Sequence, residues 1–246
     1  MRPLQQLTVE CMNSGELEKC PRIDSAESVG FAFITHLEIL LVDESDVELL
    51  GSLASQLNCL KVGGDQKHLV LRCFNEFHLT ALRTLSIACF DCLEPRELNG
   101  RCWRLPEHLE TLQFNGCKFT ERMLEAMLPH FKNLKSLAIE HCSVSTQCIE
   151  KNCSFLAVGL KELHFSLRQS KDVIGPSALL HLPNLEHLTL SQFANITLSK
   201  QMPRLISVAI EGGQSWTSYI LAEVKKINGI GKRRLRKLAH WACRLL

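Results

Sequence analysis

Leu109-Glu-Thr-Leu112-Gln-Phe114-Asn-Gly-Cys117-Lys-Phe-Thr120 and Leu134-Lys-Ser-Leu137-Ala-Ile139-Glu-His-Cys142-Ser-Val-Ser145 are two copies of one pattern, beginning 25 residues apart. Apolar anchors stand at the first, fourth and sixth positions, and a cysteine follows three residues after the last of them. The second and third anchors are two residues apart, the period at which successive side chains of a strand return to the same face. The looser form Leu-x-x-Leu-x-Leu begins at residues 4, 34, 57, 82, 109, 134, 160, 185 and 205. Successive copies are therefore 30, 23, 25, 27, 25, 26, 25 and 20 residues apart. Each copy reads as one short strand followed by a returning arc.

The arcs carry a different period. After the first quoted copy, Met123, Leu124, Met127, Leu128 and Phe131 form one helical stripe, with Thr120 placed to cap its start. After the second, Ile149, Cys153 and Leu156 stand at similar spacing. A further helix is expected over Asp46–Gln56, where Val47, Leu50, Leu53 and Leu57 line one side. Pro95, Pro106, Pro129, Pro176, Pro183 and Pro203 punctuate the arcs, ending them and turning the chain back towards the next strand.

A unit of this length cannot bury its own apolar face, so neighbours must stack. The resulting expectation is an α/β leucine-rich-repeat solenoid, a curved horseshoe. Short parallel strands would line its concave face and helices or irregular arcs its convex face. The repeats define one domain over residues 1–214, followed by a helical cap with a basic tail over 215–246. With 46% hydrophobic residues the chain can bury a continuous core, and its 6% aromatic content suits leucine-filled ribs. No apolar run reaches the ~18 residues of a membrane span, and Met-Arg-Pro-Leu-Gln-Gln-Leu-Thr at the start has no signal-peptide core. The twelve cysteines are read as reduced and buried in an intracellular, cytoplasmic or nuclear protein, because the core makes a disulfide framework unnecessary. On that reading the sequons Asn152-Cys-Ser and Asn195-Ile-Thr are chance matches.

The pattern Leu-x-x-Leu-x-Phe/Ile-x-x-Cys-x-Phe/Val-Thr/Ser over 109–156 resembles the cysteine-containing subclass of leucine-rich repeats found in F-box/LRR proteins. Those are substrate-recruiting subunits of cullin-type ubiquitin ligases. The resemblance implies a protein-binding concave face and Skp/cullin components as partners. Leu4 already anchors a strand, so no F-box module is expected before it. The other reading is a scaffold or regulatory protein unrelated to ubiquitin, held by its tail at an acidic membrane or a nuclear partner.

Residues between the anchors point out of the core and define the candidate docking face. The row before the second anchor runs Gln6, His36, Cys59, Thr84, Thr111, Ser136, Glu162, His187, Ser207. The row after it runs Thr8, Glu38, Lys61, Ser86, Gln113, Ala138, His164, Thr189, Ala209, and the third row runs Glu10, Leu40, Gly63, Ala88, Asn115, Glu140, Ser166, Ser191, Glu211. The partner-binding candidates are His36, Glu38, Leu40, Lys61, Gln113, Asn115, Glu140, Glu162, His164, His187 and Glu211. Leu40 is the one large apolar residue aimed outward, and Glu162, His164 and His187 form the sharpest grouping. Lys61 is the only fixed positive charge in the three rows, so the face does not suit nucleic acid, whose phosphates need arrays of Lys and Arg.

Catalysis and metals find little support. Cys89-Phe-Asp-Cys92 is followed by Cys102, His108 and Cys117 but lacks the second close pair of a zinc site. It also lacks the βαβ context of a redox pair. Cys142, Cys148 and Cys153 beside His141 read as repeat and arc positions. No catalytic triad, phosphate loop or carboxylate pair is recognisable. The chain is therefore read as a non-enzyme without cofactor or metal.

Residues 215–246 carry eight Lys/Arg and one Glu, a net of +7, against +2 for the whole chain, which leaves −5 for residues 1–214. Trp216, Tyr219, Ile220, Val224 and Ile227 suit a helix closing the solenoid. Lys232, Arg233, Arg234, Arg236 and Lys237 form a basic run usable for nuclear import or an acidic surface. Cys243, fourth from the end in Cys-Arg-Leu-Leu, is a candidate prenylation site, and the basic tail is the one route to a membrane that the sequence offers.

Overall fold

Anchors that recur at strand period pair side by side in the computed structural model. It describes residues 5–9, 33–88, 106–117, 124–125, 127–142, 159–167, 173–174, 182–191, 195–196 and 204–211. Within them lie strands β1 Gln6–Val9, β2 His36–Leu40, β3 Cys59–Gly63, β4 Thr84–Ala88, β5 Thr111–Asn115, β6 Ser136–Cys142 and β7 Glu162–Leu167. They continue with β8 Val173–Ile174, β9 His187–Ser191, β10 Asn195–Ile196 and β11 Ser207–Glu211. Nine of these form one sheet in the order β1-β2-β3-β4-β5-β6-β7-β9-β11, while β8 and β10 pair separately. Every pairing in the large sheet is parallel.

The second anchor of each repeat lies beside the second anchor of the next: Leu37, Leu60, Leu85, Leu112, Leu137, Leu163, Leu188 and Val208 are consecutive lateral partners. A slip of one residue would turn every anchor to the other face, so burial of the leucines holds this register. The joints are repeated too. The amides of Lys135 and Ser136 both donate to the Glu110 carbonyl, at 2.8 and 3.0 Å, and the same paired donation recurs between each strand entry and the one before it, from Gln5 to Glu186.

The core follows the anchors. Leu85, Leu109, Leu112, Phe114, Leu137, Ile139, Leu160, Leu163 and Phe165 are fully buried, each worth ~1.5–3 kcal/mol of transfer free energy. Helix α1 spans Glu44–Leu53, and Val47, Leu50 and Leu53 face inward as the sequence implies. It starts two residues before the expected Asp46. Asp43 caps it, accepting from the amides of Ser45 and Asp46, while Asp46 accepts from the amide of Asp43, a reciprocal capping box. Leu57, expected on this helix, is buried beyond its end.

Helix α2, Lys67–Glu76, is not among the expected helices. Its signal was present in Leu69, Val70, Cys73 and Phe74, spaced i, i+1, i+4, i+5 and all buried. Arg72 joins it to α1 by pairing with Glu44, and with Glu76 along its own helix at 2.9 Å. In the 120–131 arc, Leu124, Met127, Leu128 and Phe131 are buried as one stripe, and Leu128–His130 tightens into a 3-10 turn at Pro129. Thr120 and Met123 of that arc, the 149–156 arc and the whole of 212–246 lie outside the described residues. So do the expected C-terminal cap, Cys243 and the basic run Lys232, Arg233, Arg234, Arg236 and Lys237. Among the described residues no helix is long and apolar enough to cross a membrane.

Candidate functional site: the outward face of the sheet

Alternation along each strand sets which side chains reach solvent. In β2 the exposed residues are His36, Glu38 and Leu40, and in β4, β5 and β6 the first, third and fifth positions of the strand are half-buried while Leu85, Ile87, Leu112, Phe114, Leu137 and Ile139 are buried. Parallel register then places the exposed positions of successive strands side by side, which converts a period of two in sequence into rows in space. The first row runs Gln6, His36, Cys59, Thr84, Thr111, Ser136, Glu162, His187, Ser207. The other two rows align in the same way, Glu38 beside Lys61 and Glu140 beside both Asn115 and Ser166. Glu211 holds the same place in β11, beside Ser191.

The charges on this face do not combine as the sequence alone led us to expect. Glu162 and His187 are lateral partners on β7 and β9, yet His187 Nδ1 contacts the Ser207 hydroxyl at 2.7 Å. His164 instead faces Glu140 across β6 and β7, with Nδ1 3.7 Å from Oε1. Gln113 Nε2 approaches the same oxygen at 3.4 Å from β5. The grouping therefore centres on Glu140, with Gln113 and His164 on its two flanks and Glu162 standing exposed to one side. Period-two reading assigns each residue to a face and a row, but which rotamers meet across a gap of one strand is set by packing.

Elsewhere on the face Lys61 and Glu38 pair at 3.3 Å, so the one lysine of the three rows is matched by its neighbour. His36 Nδ1 lies 2.9 Å from the Thr35 hydroxyl. Leu40 is 39% exposed and leans over Gly63, whose added Cβ would come within 3.3 Å of its Cδ1. Asn115 lies between Ala88 and Glu140 in the third row. Cys59 shares the face, and burial beside Leu-rich ribs raises its thiol pKa.

The two cysteines of the repeat pattern lie on the opposite side of the strand exits. Cys117 Sγ is 3.4 Å from the Ile87 carbonyl, and Cys142 Sγ is 3.2 Å from the Glu140 carbonyl and 3.7 Å from that of Phe114. Each thiol can thus donate to a carbonyl near the end of the preceding strand, Ile87 of β4 for Cys117 and Phe114 of β5 for Cys142, and so serves a backbone group, the role the sequence pattern implied. The neighbouring Cys117 and burial both push the Cys142 thiol well up, and burial pushes Cys73 up to about 12, so neither ionises near neutrality. His108 is exposed. Cys89, Cys92, Cys102, Cys148 and Cys153 lie outside the described residues. Among the described residues no group of three or more His, Cys, Asp or Glu gathers as a metal ion would require.

No model of a known protein family matches this sequence, and no curated protein matches it.

Proposed function

We propose that the chain is a leucine-rich-repeat solenoid of the F-box/LRR type that docks a protein partner on its outward, concave face, without catalysis of its own. The observation that supports this most is the lateral alignment, strand after strand, of rows of mostly small and polar residues along one parallel sheet. Such a face is broad, shallow and ready-made. Its small residues allow close approach, while a few larger groups would act as anchors and the rest would exclude water. Leu40, the Glu38–Lys61 pair and the Glu140 grouping are those anchors. The cysteine positions of the 109–145 repeats favour substrate recruitment for a cullin-type ligase over a ubiquitin-independent scaffold in the cytoplasm or nucleus.

The test is affinity purification of the intact chain from eukaryotic cytosol, set against Thr111→Arg, which fills the middle of the first row without touching the core. Proteins bound by the wild type and lost from T111R define face partners, and Skp or cullin components among the bound proteins support the ligase reading. Partners retained in full by T111R would move docking off this face. Face partners without ligase components would leave the scaffold reading.

A further inference from the structure

Among the described residues five carboxylates meet a neighbouring lysine or arginine. Glu38 meets Lys61, Glu44 and Glu76 meet Arg72, Glu110 meets Arg83 and Lys135, and Glu186 meets Lys161. Glu140 is different. Its side chain is 20% exposed, more withdrawn than any of those five, and it meets an amide and an imidazole, both long contacts to Oε1. Among the described residues no hydrogen bond or ion pair reaches its Oε2. A partly buried carboxylate without a fixed counter-charge keeps a strong demand for donors.

A second observation points to the same place. Ser166 is the lateral partner of Glu140 on the same face. It is 3% exposed, and its Oγ is buried without a hydrogen-bond partner. Buried hydroxyls are nearly always satisfied, so an orphan next in register to a carboxylate with no lysine or arginine partner keeps unused capacity for a donor. The surroundings fit a cation. Across β4, β5, β6, β7 and β9 the three rows contain no Lys or Arg, and Glu140 and Glu162 are their only fixed charges. Ala138, two residues before Glu140 on the same strand, adds only a methyl group to the second row.

We propose that this part of the face binds a basic segment of a protein partner, with an arginine or lysine side chain seated on Glu140 Oε2 and donating to Ser166 Oγ. The inference rests on the docking role proposed above and adds the chemistry of the partner. Arginine fits best, since its planar fork can donate to two acceptors at once.

The test selects phage-displayed random dodecapeptides on the immobilised intact chain. The enriched peptides are then synthesised and titrated by fluorescence anisotropy against wild type, E140Q, S166A and E107Q, with thermal melts confirming that each variant is folded. Enriched peptides carry Arg or Lys, E140Q weakens them about tenfold or more, S166A weakens them by roughly twofold to tenfold, and E107Q, off the face, leaves them unchanged. Basic peptides indifferent to E140Q and S166A would overturn the site. Peptides without basic residues that T111R displaces would overturn the basic partner while keeping the docking role. A synthetic peptide of residues 230–240 binding Glu140 more tightly than every selected peptide would make the chain's own tail the occupant and overturn the partner assignment. No enrichment at all, with no partner lost by T111R from cytosol, would overturn both readings.

Discussion

A left-handed backbone residue at the strand exit shows how much single positions decide. Gly116 follows β5 with φ 69° and His141, next to last in β6, has φ 53°, and each is followed directly by the buried repeat cysteine. Glycine adopts that conformation freely, whereas histidine is strained there. His141 takes it within β6, at the irregularity where the ladder to β7 shifts between Glu140 and Cys142. Gly64, after β3, has φ 150° and a Cβ there would lie 2.7 Å from the Leu41 carbonyl, so no side chain fits. The anchors are equally exacting. Leu137 is fully buried between Leu112 and Leu163. Leu137→Ala should destabilise the chain by about 2–5 kcal/mol, measured by urea unfolding, because ribs on both sides hold the cavity open. A loss below 1 kcal/mol would contradict the register.

At the scale of elements, the strand entries carry a ladder of charges at one rim. Glu110 receives Arg83 Nη1 and Lys135 Nζ, both at 2.7 Å, and Glu186 receives Lys161 Nζ at 3.1 Å. Lys135 first and Arg83 second hold the Glu110 carboxyl below its ordinary value of 4.5. A carboxyl depressed in the folded state adds stability that is fully present above the unfolded value and disappears as the pH falls through the folded one. The melting temperature should therefore be level down to about pH 4.5 in this respect and fall below it. Glu110→Gln should flatten part of that acid slope, and high salt should shrink the difference, since these groups are exposed and screened. An identical acid slope in E110Q would show that the rim pairs contribute nothing. Asp43 adds a second depressed carboxyl with the same sign, held down chiefly by the Ser45 hydroxyl.

For the whole molecule, stability is distributed along the stack. Each strand of the interior has two neighbours, whereas β1 and β11 stand at the ends of the nine-strand order. Leu7 of β1 is only half-buried, while Leu112 and Leu137 are fully buried. In a repeat array, local opening is governed by nearest-neighbour contacts. Backbone amides of Gln6–Val9 should therefore exchange roughly tenfold or more faster than those of Thr111–Asn115 and Ser136–Glu140. Equal protection in a monomer would mean that the amino-terminal edge is held as firmly as the middle.

Much of this architecture is legible in the chain itself. The nine starts of Leu-x-x-Leu-x-Leu determine the strands, their inward faces and the membership of each exposed row, because a period of two leaves no other way to bury the leucines. The cysteine after Phe114 and Ile139 likewise announces a buried thiol at the strand exit. Helix α2 was legible in Leu69, Val70, Cys73 and Phe74, although its polar first turn hid it. What the sequence could not decide is which exposed residues meet. His187 turned to Ser207 rather than Glu162, His164 turned to Glu140, and Ser166 was left buried without a partner. Repeat period assigns a side chain to a row, but its rotamer is chosen by neighbours 20 or more residues away in sequence, and only the tertiary structure brings those neighbours together.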